Sequence, residues 1–167
     1  MKIVWVSYHL DYQLSTRCIF QIIDVLGWVM PLCLPTLKSQ FARNYVGSYG
    51  EIAGWGLFNM SNPRESNKLL YIRVPIIDMQ KCLKTYTSYF KISSVHQLCA
   101  GGQANKDSCG GDSGGPMMQV SAAYGFPRYY ALGIVSYGPK VCGEKDKPAV
   151  YTNIVSYVDW ILDNLEA

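Results

Sequence analysis

Chemistry concentrates in one run of this chain, Asp107-Ser108-Cys109-Gly110-Gly111-Asp112-Ser113-Gly114-Gly115-Pro116. A serine set between an aspartate and paired glycines sits on backbone that must turn tightly. Glycine accepts positive φ and leaves no side chain in the path of an approaching substrate. Such a turn can aim successive N–H groups at one point beside an exposed hydroxyl. That is an oxyanion hole next to a nucleophile, the arrangement acyl transfer requires. The simpler alternative, a glycine-rich turn whose serine only bonds locally, is disfavoured by the length of the ordered run. A serine hydroxyl also needs a neighbouring base, and the chain has two histidines, His9 and His96.

The other reactive side chains point away from metal chemistry. The cysteines are Cys18, Cys33, Cys82, Cys99, Cys109 and Cys142, and none forms a CxxC pair. With so few histidines, neither a zinc site nor another metal or cofactor site is expected. Widely spaced cysteines in a Gly- and Tyr-rich chain read as disulfides formed in an oxidising compartment. Hence the protein is expected to be secreted, although no signal-peptide core is evident: Tyr8, His9 and Asp11 interrupt the apolar start. The net charge of +3 is small and dispersed, which excludes nucleic acid and anionic membrane as expected partners. From Cys18 to Leu34 the chain is apolar but interrupted by Gln21, Asp24 and Pro31, too broken to span a bilayer.

The elements that must position Ser113 are short. From Trp28 onward, apolar runs alternate with Gly, Pro, Asn and Ser. Leu69–Ile77, Gln119–Tyr124, Tyr129–Tyr137 and Ala149–Ile154 read as strands. This pattern predicts an all-β barrel or sandwich. The end differs: Ser156 as N-cap, with Asp159 three residues on, predicts an amphipathic helix over 157–165. Residues 1–27 have no clear period and read as a divergent or non-homologous segment ahead of a domain over 28–167.

The serine run resembles the active-serine segment of trypsin-like, chymotrypsin-fold (S1) serine peptidases. Further segments resemble that family in the same order: Pro31-Leu32-Cys33-Leu34-Pro35, Ala53-Gly54-Trp55-Gly56, Leu98-Cys99-Ala100-Gly101, Ile134-Val135-Ser136-Tyr137-Gly138, Pro148-Ala149-Val150-Tyr151-Thr152 and Tyr157-Val158-Asp159-Trp160-Ile161. The phrase Gly138-Pro139-Lys140-Val141-Cys142-Gly143 looks most like arthropod clip-type proteases. The resemblance implies the C-terminal antiparallel β-barrel of a two-barrel fold, closed by a short helix. It implies Ser113 as nucleophile, Gly111 and Ser113 N–H groups as the oxyanion hole, and Asp112 as the acid that pairs with a cleaved N-terminal ammonium. Asp107 becomes the floor of a substrate pocket selecting Arg or Lys, with Ser108, Ser136 and Gly138 also in substrate binding. Ala149 stands where the family usually has a pocket-wall glycine, and its methyl should narrow the pocket. Disulfides Cys82–Cys99 and Cys109–Cys142 are implied, and serpin-type inhibitors join Arg/Lys-containing proteins as implied partners. Cys33's usual partner lies in a preceding segment, a place Cys18 is not expected to fill. Asn59-Met60-Ser61 is an N-glycosylation sequon.

What the resemblance requires but the residues do not supply is the base. His96 sits next to the second-barrel segment and reads as structural. His9 lacks the family's Ala-Ala-His-Cys context, and Asp11-Tyr12-Gln13-Leu14 only loosely resembles its aspartate segment. Lys2-Ile3-Val4 is a poor match to the family's activated N-terminus, which would leave Asp112 an unpaired charge. The reading is therefore an Arg/Lys-specific serine endopeptidase domain in an incomplete chain, silent as written. The alternative is a non-catalytic pseudoprotease that binds or regulates partners. Joint retention of Ser113, Gly111 and Asp107 favours the enzyme.

Overall fold

A computed structural model describes residues 32–41, 43–58, 61–86, 91–122 and 127–164. In chain order these form α1 (Lys38–Phe41), β1 (Tyr49–Gly54), β2 (Leu70–Ile77), α2 (Met79–Tyr86), β3 (Gln97–Gly101), β4 (Pro116–Ser121), β5 (Arg128–Tyr137) and β6 (Pro148–Asn153). A 3-10 turn (Ile154–Tyr157) then leads into α3 (Val158–Asp163). The strands close into an antiparallel barrel in the order β1-β2-β3-β6-β5-β4. The all-β barrel and short terminal helix expected from the sequence are thus present.

Alternation along the strands fills the barrel. On β2, Val74 and Ile76 point inward and are almost fully buried, joined by Ile52, Ala100, Met117, Leu132 and Tyr151 from the other strands. Each fully buried Val, Leu or Ile side chain stabilises the fold by about 1.5–3 kcal/mol. Met117 explains a glycine in mid-strand: a Cβ on Gly50 would lie 2.6 Å from the Met117 side chain. That glycine is also why β1 is hard to read from the sequence, since Tyr-Gly-Glu-Ile-Ala-Gly has a weak strand pattern.

Two covalent ties fix the periphery. Cys82–Cys99 pins α2 to β3 and Cys109–Cys142 ties the Ser113 loop to the loop after β5, the pairings implied by the resemblance. In the chain-entropy model each contributes about 3–4 kcal/mol. Cys33 is buried and disulfide-bonded, its partner outside the described residues, where the expectation about Cys18 also falls. Cys33 docks the incoming chain on β5 by donating its N–H to the Tyr129 carbonyl (3.0 Å) and accepting from Ala131 N–H (2.9 Å).

Two sequence expectations shift. The strand expected over 119–124 lies at Pro116–Ser121, so β4 starts directly behind the serine loop. The terminal helix has a 3-10 entry, and Ser156 is not its N-cap: already inside that turn, its hydroxyl donates back to the Asn153 carbonyl at 2.8 Å. Val158, Ile161 and Leu162 pack on the barrel with Leu34 and Ile154, whereas Tyr157 is exposed.

Candidate active site

The loop from Asp107 to Gly115 leads from β3 into β4, and its turns need its glycines. Gly111 has φ +93° and Gly114 φ +80°, backbone that residues with a Cβ rarely adopt. The loop's end is stitched to β5, with Gly114 N–H donating to the Val135 carbonyl (3.0 Å) and Val135 N–H to the Gly115 carbonyl (2.9 Å). Ser113 at the apex is exposed. Among the described residues, neither the Gly111 nor the Ser113 N–H donates to a protein acceptor. Two free donors flanking an exposed hydroxyl can stabilise charge developing on a carbonyl oxygen.

Among the described residues the Asp112 carboxylate meets no cation, but both of its oxygens are hydrogen-bonded. Its Oδ1 accepts from Gly56 N–H (2.9 Å) and its Oδ2 from Cys109 N–H (3.0 Å). Nothing in the sequence signals these neutral donors, because one lies 56 residues away on the Gly54-Trp55-Gly56 turn.

Asp107 lies in the crevice between the strand ends. Its Oδ2 accepts from Gly143 N–H at 3.1 Å, while its Oδ1 is buried without a hydrogen-bond partner. Burial pushes the carboxyl up to about 6, against the opposing backbone N–H groups of Gly143 and Ser108. A side chain on Gly138 would come 3.1 Å from Ala149 Cβ and 3.9 Å from Asp107 Oδ2, so Asp107, Gly138 and Ala149 share one small volume. Ser108 is buried, its Oγ 3.2 Å from the Tyr151 hydroxyl, which burial drives far up. Ser136 falls where the β5–β6 register shifts between Val135 and Tyr137; this bulge leaves it exposed at the strand end.

One tyrosine escaped the sequence reading. Tyr86, at the end of α2, donates its hydroxyl to the Pro148 carbonyl (2.6 Å) and meets the Tyr137 ring edge-on at 5.5 Å. The signal for α2 was Asp78, whose Oδ1 accepts from Gln80 N–H (2.7 Å) as an N-cap does. A cavity of about 500 Å³ reaches Asp107, Ser108 and Asp112 from the side of Leu57, Tyr71 and Glu144. Ser113, Ser136, Gly138 and Ala149 are outside its lining.

No imidazole meets Ser113 among the described residues. His96 sits at the other end of β3, its Nδ1 3.3 Å from Ser156 Oγ and its ring 5.3 Å from that of Tyr157. It lies beside Asn153, whose side-chain amide donates to the Val95 carbonyl (3.0 Å). His9, Asp11 and the Asn59 sequon lie outside the described residues.

Comparison with known proteins shows the family and agrees with the fold. The trypsin family model matches residues 23–161. The chain belongs to the trypsin family. Among its relatives, the CLIP domain-containing serine protease HP8 of Bombyx mori is 41% identical over 83% of this chain and 37% of its own length. The Spaetzle-processing enzyme of Drosophila melanogaster is 40% identical over 87% of this chain and 36% of its own. This trypsin-family chain therefore spans little more than a third of those relatives, and the name of HP8 bears out the resemblance to clip-type proteases. Mouse neuropsin, a solved serine protease structure, superposes with a TM-score of 0.66 at 33% identity, covering 83% of this chain and 55% of neuropsin.

Proposed function

We propose that this chain carries the nucleophile, oxyanion donors and specificity pocket of a secreted serine endopeptidase that cleaves after Arg or Lys. The observation that carries the reading is the exposed Ser113, its own N–H and that of Gly111 unengaged, in the same loop as Asp107, a carboxylate with one buried oxygen lacking a hydrogen-bond partner. Ser113 Oγ attacks the scissile carbonyl carbon while its proton passes to a base. The carbonyl oxygen becomes an oxyanion held by Gly111 and Ser113 N–H. Collapse expels the amine, which takes up the proton, and leaves an acyl-serine that water hydrolyses. Asp107 receives the substrate's cation, since a desolvated carboxylate is compensated only by a positive side chain. Ser136 and Gly138 hold the substrate backbone, and Ala149 narrows the pocket.

Among the described residues, the step without a resident group is proton transfer. Loss of a triad member lowers kcat by roughly 10⁴–10⁶, so this chain by itself is proteolytically silent. The lack of an imidazole beside Ser113 among the described residues also supports a second reading, a non-catalytic relative that holds Arg- or Lys-bearing partners, serpin-type inhibitors included, without cutting them.

Peptide aldehydes ending in argininal, lysinal or phenylalaninal distinguish these readings when titrated calorimetrically into the full chain. The proposal expects the two cationic aldehydes to bind and Ser113→Ala to weaken them by removing the hemiacetal. Preference for phenylalaninal refutes the role of Asp107. Equal binding by Ser113→Ala refutes the nucleophile and leaves the binding protein.

A further inference from the structure

We propose that the cavity behind Asp107 is a second binding site, one that takes amphipathic ammonium ions to the Asp107 carboxylate by a route that does not pass Gly138 or Ala149. It rests on the functional reading only in taking Asp107 as a cation acceptor, and Ser113 has no part in it. The cavity holds about 500 Å³, a size that encloses small ligands. Leu57, Leu70 and Tyr71 give it an apolar wall. Leu70 and Tyr71 are exposed, Tyr71 to 76%, so they stand where the cavity meets solvent. Its acidic members are Asp107, Asp112 and Glu144, and among the described residues no Lys or Arg lines it. An apolar enclosure with negative charge and no resident cation complements a molecule with an apolar body and one positive charge.

Hydrogen bonding decides which of the three carboxylates the ligand meets. Asp112 already accepts from Gly56 and Cys109 N–H on its two oxygens. Glu144 pairs with Lys147 Nζ at 2.8 Å. Asp107 differs, because Oδ2 accepts from Gly143 N–H (3.1 Å) while Oδ1 is buried without a partner. Oδ2 is also the Asp107 oxygen nearest the space a Gly138 side chain would fill, 3.9 Å from its Cβ. That leaves Oδ1 for a donor arriving through the cavity. An ammonium carries three N–H donors. One of them at Oδ1 supplies both the countercharge and the hydrogen bond that a desolvated carboxylate lacks. A neutral alcohol of the same shape supplies only the hydrogen bond. A cation arriving past Gly138 needs the same single negative charge, so the two ligands exclude one another. The cavity is therefore an inhibitory site for ligands of the Arg/Lys pocket.

The test titrates cyclohexylmethylammonium, and cyclohexylmethanol as its neutral counterpart, into the full chain at pH 7.5. Calorimetry gives affinity, while the methyl resonances of Leu57 and Leu70 and the amide of Gly138 report where the ligand sits. The ammonium is expected to bind, to move both leucines more than Gly138, and to raise the apparent Kd of benzamidine. The alcohol, and the ammonium with Asp107→Asn, are expected to bind about tenfold more weakly or worse. Tyr71→Ala alters only an exposed ring, and is expected to weaken the ammonium about threefold to tenfold with benzamidine affinity unchanged. Should Asp107→Asn not fold, Tyr71→Ala and the alcohol still decide the matter. Shifts confined to Gly138 and Ala149 mean entry from the front and overturn the proposal, as does equal affinity for the alcohol. Binding that survives Asp107→Asn but fails with Asp112→Asn places the cation at Asp112 and overturns it too. If the ammonium moves the leucines while benzamidine does not bind, the Arg/Lys pocket fails and the second site stands. If benzamidine binds and the ammonium does not, the second site fails and the pocket stands.

Discussion

Replacing Asp107 by asparagine tests the pocket without any turnover. Burial raises the carboxyl from its ordinary 3.8 to about 6, so the folded state holds its proton more tightly than the unfolded state. The sign follows: the penalty of folding around the charged form is absent below the unfolded value. It grows between pH 3.8 and about 6 and is fully present above that. A shift of roughly two pK units corresponds to about 3 kcal/mol, which partial solvent exposure reduces to about 2 kcal/mol. Urea unfolding of wild type and Asp107→Asn at pH 7.5 and pH 4.0 isolates the effect. Relative to wild type, the variant is expected to be about 2 kcal/mol better off at pH 7.5 than at pH 4.0. Any fixed cost of the amide, whose NH₂ replaces an oxygen without a partner, cancels in that difference. Benzamidine, a planar amidinium, is expected to stabilise wild type at pH 7.5, lose that effect as pH falls through 6, and fail with the variant. A stability difference that is the same at both pH values would refute the argument that Asp107 is a desolvated charge awaiting a cation.

Ala149→Gly is expected to tighten benzamidine binding about fivefold to tenfold, since one methyl in a pocket is worth roughly 1–3 kcal/mol. It should also cost about 0.5–1 kcal/mol of stability through backbone entropy. Calorimetry at pH 7.5 checks the first expectation and urea unfolding the second, and weaker binding would show that the methyl is not an obstruction. Replacing Cys109 and Cys142 together by serine is expected to destabilise the chain by about 3–4 kcal/mol and to abolish benzamidine binding. Retained binding would mean that the pocket wall stands without that tie.

Much of the fold was legible because the strands carrying the site are the best patterned. Arg128–Tyr137 and Pro148–Asn153 lie within a residue or two of their expected bounds. β1 was not legible, because Gly50 and Gly54 are dictated by Met117 and Asp112, distant in sequence. A glycine required by a neighbour's side chain is indistinguishable in sequence from one required by a turn. Equally hidden were the partners of Asp112, since Gly56 and Cys109 act through backbone N–H, which every non-proline residue has. Ser156 misled for the opposite reason: it is a good capping residue by type, but the 3-10 entry had already begun.

Every group placed at the site comes from one barrel: Ser113 and Gly111 from the loop before β4, Ser136 from the β5 bulge, Ala149 from β6, and Asp107 beyond β3. On the proposed reading, recognition and oxyanion stabilisation belong to a unit with its own core and two of its own disulfides. The base that proton transfer needs is not at Ser113 among the described residues, where His96 lies at the far end of β3 with its Nδ1 3.3 Å from Ser156 Oγ. Affinity for a cationic ligand and rate of bond cleavage therefore need not rise or fall together. On the proposed reading, a trypsin-family barrel of this kind holds an Arg side chain through Asp107 while Ser113 remains idle, so binding measured on this chain reports the pocket alone.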